Sequence, residues 1–97
     1  MIYVKLTNGF GNNLFQYNAA KVLAEHHKTE VVALPPHPEY YGISALESLG
    51  VKFVELFTPL PPVYNVTDKN YVKSFAKIFA DRDMLLHGYF EDYRYFI

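Results

Sequence analysis

The chain has 97 residues, of which 51% are hydrophobic and 18% aromatic, and its formal net charge is −1. This length is enough for one small domain, and this composition is typical of a packed core rather than a disordered chain. Nine basic and ten acidic residues form no basic stripe, so nucleic-acid binding is not expected. The absence of cysteine excludes a disulfide framework, a thiol nucleophile and a zinc–thiolate site.

Neither a targeting segment nor a membrane span is indicated. Met1 runs directly into a strand pattern, without a charged leader and an apolar core behind it. No run of about 18 apolar residues occurs. We therefore expect a cytoplasmic protein with no transmembrane segment.

The first half of the chain alternates strand and helix patterns. Residues 2–6 predict a strand, residues 12–28 a helix, and residues 30–34 a second strand ended by two prolines. Ser44 and Glu47 have the spacing of a capping box, which predicts a short helix over residues 44–49. The expected buried face of the long helix carries Phe15, Ala19, Val22, Leu23 and His26.

The second half continues the alternation. We expect a strand over residues 51–56, an irregular stretch over 58–63, and a helix over 70–79. Residues 84–89 predict a fourth strand and residues 91–96 the start of another helix. This order favours a mainly parallel sheet of about four strands with right-handed crossovers, in which strand 2–6 is internal and helix 12–28 packs across it. The predicted fold class is a small three-layer α/β domain spanning residues 1–97.

The segment that indicates most about function is the glycine turn Asn8-Gly9-Phe10-Gly11-Asn12, between the first predicted strand and the first predicted helix. A helix N-terminus at a sheet edge offers backbone N–H groups to an anion or a polar sugar, and glycine lets a ligand approach the backbone. The same glycines are also compatible with a plain tight turn. The turn lacks a dinucleotide fingerprint, because Leu14 takes the place of the third glycine and Leu34 that of the acid.

Two polar residues at and after the glycine turn, Asn12 and Gln16, each allow two interpretations. Asn12 is either the N-cap of the helix or a residue that faces a ligand. Gln16 lies one turn on and is either a ligand-facing residue or a solvated one. Metal binding is not expected, because His26 and His27 are adjacent and cannot chelate as an i, i+4 pair. The neighbours Glu91 and Asp92 suit a helix start and are not assigned as a catalytic pair.

Two blocks resemble α-1,2-fucosyltransferases of the glycosyltransferase family 11 type. Gly9-Phe10-Gly11-Asn12-Asn13-Leu14-Phe15-Gln16-Tyr17 is similar to their Gly-Gly-Leu-Gly-Asn-Gln-Met-Phe-Gln-Tyr signature. The segment Leu86-His87-Gly88-Tyr89-Phe90-Glu91-Asp92-Tyr93-Arg94-Tyr95-Phe96 is similar to Leu-x-Gly-Tyr-Phe-Gln-x-x-x-Tyr-Phe. The order and spacing fit the N-terminal part of such enzymes. Asn13 and Asn18 depart from the usual glutamine and small residue.

The resemblance implies two Rossmann-like domains that face a cleft, the GT-B arrangement, with this chain as the N-terminal one. Such enzymes transfer fucose from GDP-fucose to the 2-hydroxyl of a galactoside, without a cofactor or a metal. The resemblance also implies a set of substrate-binding residues, with no catalytic residue assigned: Gly9, Phe10, Gly11, Asn12, Asn13, Gln16, Tyr89 and Phe90. The expected ligands of the intact enzyme are a glycan acceptor and a nucleotide sugar.

The donor-binding His-x-Arg-Arg-x-Asp segment of the family has no counterpart here, since Arg82 and Arg94 are the only two arginines. We therefore expect a fragment of a longer two-domain enzyme that is inactive alone. The alternative is a non-catalytic module that binds a nucleotide, a glycan or a partner domain. The aromatic residues of segment 89–96 either stack a sugar or pack in a core, and an uncovered flank there would favour self-association.

Overall fold

Parallel strands form one sheet at the centre of the molecule. The structure is a computed structural model that describes residues 1–7, 9–37, 39–54 and 62–88, without the side chain of Phe10. This part of the chain contains the strands β1 (Ile2–Lys5), β2 (Val31–Leu34), β3 (Tyr64–Val66) and β4 (Met84–Leu86). Their order is β2-β1-β4-β3, and every neighbouring pair is parallel. The predicted α/β class, parallel sheet and internal first strand are confirmed.

Helical segments connect the strands. The long helix α1 (Phe10–His27) links β1 to β2, and the short helix α2 (Ile43–Ser48) follows β2. Two 3₁₀ turns, Val72–Phe75 and Lys77–Phe79, lie between β3 and β4. None of the described helices is long and apolar enough to cross a membrane.

The two faces of the sheet differ in burial. Alternate residues of β1 and β4 are buried on one face, together with three alanines and one leucine of α1. These positions are Ile2, Val4, Met84, Leu86, Ala19, Ala20, Leu23 and Ala24. On the other face Tyr3 and Leu85 are half-buried and Lys5 is exposed. The core therefore lies between the sheet and α1, where alanines let the helix approach the strands closely.

The buried face of α1 is rotated from the predicted one. Asn13 and Gln16 are fully buried at its N-terminal end, whereas Phe15 is 40% exposed and His26 is exposed. Hydrophobic periodicity misplaced the face because two polar side chains occupy core positions. Their hydrogen bonds, described below, offset the cost of burying them.

The predicted helix over residues 70–79 is wrong, since the segment forms the two 3₁₀ turns. The Nε2 atoms of His26 and His27 donate to the carbonyl oxygens of Phe75 (2.8 Å) and Ser74 (2.7 Å). An α-helix would use these carbonyls for its own next turn. Ala76 has extended dihedral angles and separates the two turns. Histidines at the end of α1 thus replace helical hydrogen bonds in this connection.

Two further predictions need correction. Over the described residues of segment 51–56, only Phe53 pairs, as an isolated bridge to Ala33, and β3 lies later in the chain. The sequence pattern that would have predicted β3 is the run from Val63 to Thr67, in which β-branched and aromatic residues follow two prolines. The capping box is also absent, because α2 begins at Ile43 with Gly42 as its N-cap and no side-chain cap hydrogen bond. The predicted helix over 91–96 lies outside the described residues.

Candidate functional site

The turn between β1 and α1 lies at the carboxyl edge of the sheet. Gly9 is the N-cap of α1 and has a φ of 118°, which only glycine adopts readily. No side chain caps the helix, and its first turn contains no acidic residue. The N–H groups of the first turn therefore point out of the helix end without a capping side chain. Polar groups of a ligand can meet this end of α1.

Asn12 is not the helix N-cap, because α1 begins two residues earlier, at Phe10. Its side chain is half-buried, and its Nδ2 atom lies 3.5 Å from the position that a Cβ on Gly9 would occupy. Gly11 is exposed and has open space where its own Cβ would be. Asn12 and the two glycines therefore form the accessible part of the turn.

Asn13 lies behind this accessible part and is fully buried. Its Nδ2 atom donates to the Thr7 carbonyl oxygen (2.8 Å) and to Gln16 Oε1 (3.2 Å). Its Oδ1 atom accepts from the Tyr40 hydroxyl at 2.5 Å. Asn13 thus joins the end of β1 to the connection that follows β2.

Gln16 is also fully buried, so it is not the solvated residue of the alternative reading. Its Oε1 atom accepts from the Thr7 backbone N–H (3.3 Å) as well as from Asn13. Its Nε2 atom donates to Thr7 Oγ1 (3.2 Å) and to the Gly88 carbonyl oxygen (2.8 Å). Both donor and both acceptor positions of the amide are occupied. Gln16 therefore joins α1, the end of β1 and the residue after β4.

Tyr40 is a site component that the sequence did not single out. The side chain is 3% exposed, and its hydroxyl reaches Asn13 from the loop between β2 and α2. Burial raises the pKa of the Tyr40 phenol above its ordinary value, and the neighbouring Tyr41 raises it further, while a hydrogen bond with the Gly9 backbone opposes the shift. The phenol is therefore neutral and donates its proton to Asn13. A tyrosine in a proline-rich loop gives no periodic signal, which is why it was missed.

Gly88 brings the second block to the same edge. β4 pairs with β1, so the residues after both strands emerge side by side, as the parallel order predicts. Gly88 has a φ of 149° and accepts the hydrogen bond from Gln16. Its neighbours Tyr89 and Phe90, both predicted to bind substrate, lie outside the described residues, as does the side chain of Phe10. The structure brings together the remaining predicted site residues, which are Gly9, Gly11, Asn12, Asn13 and Gln16.

Other features of the described residues do not converge on this edge. A cavity of about 530 Å³ lies at the opposite edge, beside Tyr64 and residues 81–83, and one of about 210 Å³ lies between α1 and Lys52. No group of three histidine, aspartate or glutamate side chains in the described ranges is arranged to hold a metal ion. Arg82 precedes β4 and so lies at the edge opposite to the glycine turn.

The arrangement consists of an inner and an outer part. The inner part is the hydrogen-bonded set Thr7, Asn13, Gln16, Tyr40 and Gly88, which we name the amide network. The outer part is the accessible turn formed by Gly9, Gly11 and Asn12.

Comparison with protein-family models, with curated proteins and with solved structures gives no match to this chain.

Proposed function

We propose that this chain is the N-terminal half-domain of a fucosyltransferase-like glycosyltransferase of the GT-B type. In this proposal the chain is a three-layer, Rossmann-like half, which would present the carboxyl edge of its sheet to a cleft between two domains. In the intact enzyme, fucose would pass from GDP-fucose to a hydroxyl of a galactoside. The all-parallel sheet with an internal first strand is compatible with this assignment.

The hydrogen bond between Gln16 and Gly88 carries the proposal. It spans 72 residues and connects the two blocks that resemble the family. Both blocks are therefore parts of one local structure, and the resemblance does not rest on two unrelated stretches of sequence.

The residues divide into two roles in this proposal. Asn13 and Gln16 are positioning residues, because their polar groups are used inside the protein. Gly9, Gly11 and Asn12 are the groups that a substrate would meet. The resemblance alone assigns substrate binding to three further residues, which are Phe10, Tyr89 and Phe90.

Catalysis would need residues beyond those of this chain. The family signature that clamps the donor diphosphate contains an arginine pair, and paired arginines suit a diphosphate by charge and by bidentate geometry. Here Arg82 is exposed at the wrong edge of the sheet. The chain alone is therefore expected to hold substrate without transferring fucose.

An activity assay and a binding assay test the proposal together. We expect no GDP release when the chain is mixed with GDP-fucose and lactose, and robust turnover would refute the half-domain assignment. Isothermal titration with GDP, GDP-fucose and lactose should detect at least one ligand. Asn12→Ala should weaken that binding, whereas the exposed Asn18→Ala on the same helix should not.

The alternative function is a non-catalytic module that binds a glycan, a nucleotide or a partner domain. One observation favours it: residues 6–20 and 35–51, which include the described loops after β1 and β2, contain no lysine or arginine. The absence of binding in all three titrations, together with concentration-dependent dimerisation, would favour an interaction module over a substrate site.

A further inference from the structure

Tyr41 is an exposed aromatic side chain in the loop that follows β2. It exposes 73% of its surface, although the residue before it is buried. The ring centroids of Tyr40 and Tyr41 are 4.8 Å apart, with an angle of 54° between the ring planes. The exposed ring is thus supported on one side by a buried ring and is open on the other.

The supporting ring is fixed in place. The Tyr40 hydroxyl is bound to Asn13, and a Cβ on Gly42 would lie only 2.6 Å from Cε2 of Tyr40. Glycine at position 42 therefore makes room for the Tyr40 ring. Pro35 and Pro36 restrict the backbone at the start of the same loop. An aromatic surface held in this way loses little conformational entropy when a ligand binds.

Asn12 supplies a polar group in the turn to which Tyr40 is hydrogen-bonded. Tyr40 connects the two places, because its ring contacts Tyr41 and its hydroxyl donates to Asn13, whose backbone N–H donates to the Gly9 carbonyl oxygen (3.1 Å). The Asn12 amide adjoins Gly9 and is half-buried, and it has no hydrogen-bond partner among the described residues. Such an amide offers both donors and an acceptor, which match hydroxyl groups.

Charge decides between the ligands that an aromatic ring and an amide can bind. A nucleotide carries phosphates, which call for arginine, lysine or several backbone N–H groups. The loops after β1 and β2 lie within residues 6–20 and 35–51, which contain neither lysine nor arginine, whereas Lys69 follows β3 at the far end of the sheet. The chemistry of this part of the edge therefore fits an uncharged ligand with one apolar face and several hydroxyls.

We propose that Tyr41 and Asn12 form a subsite for an uncharged pyranose. The C–H face of the sugar stacks on the open side of Tyr41, and hydroxyl groups of the sugar pair with the Asn12 amide. This inference rests on the proposed function and deepens it, because it assigns this part of the edge to the acceptor sugar and not to the nucleotide.

Chemical-shift titration of the full chain tests the subsite with two ligands, methyl β-galactoside and GDP. We expect the galactoside to bind, with shifts at the Gly9–Asn12 turn. Tyr41→Ala should raise the Kd for the galactoside about tenfold or more, and Tyr41→Phe should restore it. Leu49→Ala is the matched control, because Leu49 is 63% exposed at the end of the following helix. Tyr41 is exposed, so the dispersion of the amide spectrum should be unchanged.

Each other outcome has a defined meaning. Equal galactoside affinity for the wild type and Tyr41→Ala would overturn the subsite while leaving the proposed function intact. Binding of GDP without galactoside would overturn the subsite and retain a nucleotide role for the edge. Binding of neither ligand would overturn both the subsite and substrate binding by this half-domain.

Discussion

Gln16 uses every hydrogen-bonding position of its amide although it is fully buried. Replacing it by alanine would leave the Thr7 backbone N–H and the Gly88 carbonyl oxygen without partners. We expect Gln16→Ala to lower the free energy of unfolding by about 3 kcal/mol. Urea denaturation measures this change. Asn18→Ala on the exposed side of α1 should stay within about 0.5 kcal/mol of the wild type, and an equally small effect at Gln16 would contradict the amide network.

Because of Tyr40, the folding stability of the protein should depend on pH in the alkaline range. Burial raises the phenol pKa in the folded state, so the contribution of Tyr40 to stability is fully present below its unfolded pKa of about 10. This contribution is lost as the pH rises through the higher folded pKa. We expect Tyr40→Phe to be less stable than the wild type at pH 7, because Asn13 loses a donor. Denaturation at increasing pH should show the difference shrinking above about pH 10, and a constant difference would contradict it.

At the scale of elements, β3 is the edge strand of the sheet that the described residues form, and one side chain closes its outer side. Asn70 Oδ1 accepts from the Thr67 backbone N–H (2.7 Å), and Asn70 Nδ2 donates to the Asn65 carbonyl oxygen (3.1 Å). The backbone groups of Tyr64 and Val66 point the other way and pair with the chain around β4. The Asn70 amide thus takes the place that a further strand would occupy.

We expect Asn70→Ala to open this edge. Two backbone groups would lose their partner, which should cost about 1–2 kcal/mol of stability, and an unpaired edge favours strand pairing between molecules. Sedimentation velocity and urea denaturation measure the two effects. Lys73→Ala, an exposed substitution on the next turn, is the control. A variant as stable and as monomeric as the wild type would show that Asn70 does not protect the edge.

The elements that could be predicted are those with strong periodicity. The strand near residues 2–6, the long helix and the parallel order followed from alternation of patterns along the chain. The connection between β3 and β4 could not be predicted, because contacts with His26 and His27 from a distant helix decide its conformation. Tertiary contacts overrode local propensity there, as they often do in short segments.

The candidate site was predicted only in part, for a similar reason. The glycines and Asn12 lie at the accessible edge, as the strand–turn–helix pattern indicates. The burial of Asn13 and Gln16 depends on acceptors and donors from Thr7, Tyr40 and Gly88, and Gly88 is more than seventy residues away. Spacing within one helix carries no information about such partners.

At the scale of the whole molecule, the aromatic segment after β4 remains a prediction. Tyr89, Phe90, Tyr93, Tyr95 and Phe96 lie outside the described residues. We expect the chain to self-associate through this segment or to be marginally stable alone, because uncovered aromatic side chains favour association. Sedimentation at increasing protein concentration should show dimers or larger species, which Tyr93→Asp combined with Tyr95→Asp should reduce.

The control for this association is Ile78→Asp, at a side chain that is 75% exposed in the connection between β3 and β4. It should leave association unchanged if the segment after β4 is responsible. A clean monomer at high concentration, with a sharp thermal transition above about 65 °C, would instead mean that the chain is stable without a partner surface.

The central place of β1 also has a kinetic consequence. Its first neighbour, β2, lies about 30 residues later in the chain. Its second neighbour, β4, lies much further on, since Ile2 pairs with Met84. During synthesis, β1 therefore gains its second neighbour only after the chain has been extended through residue 86. Pairings so distant in sequence fold slowly, because loop closure must precede the contacts that reward it. During that interval one side of the apolar strand β1 has no strand partner. A rise in synthesis rate or in temperature should therefore first lower the yield of folded protein.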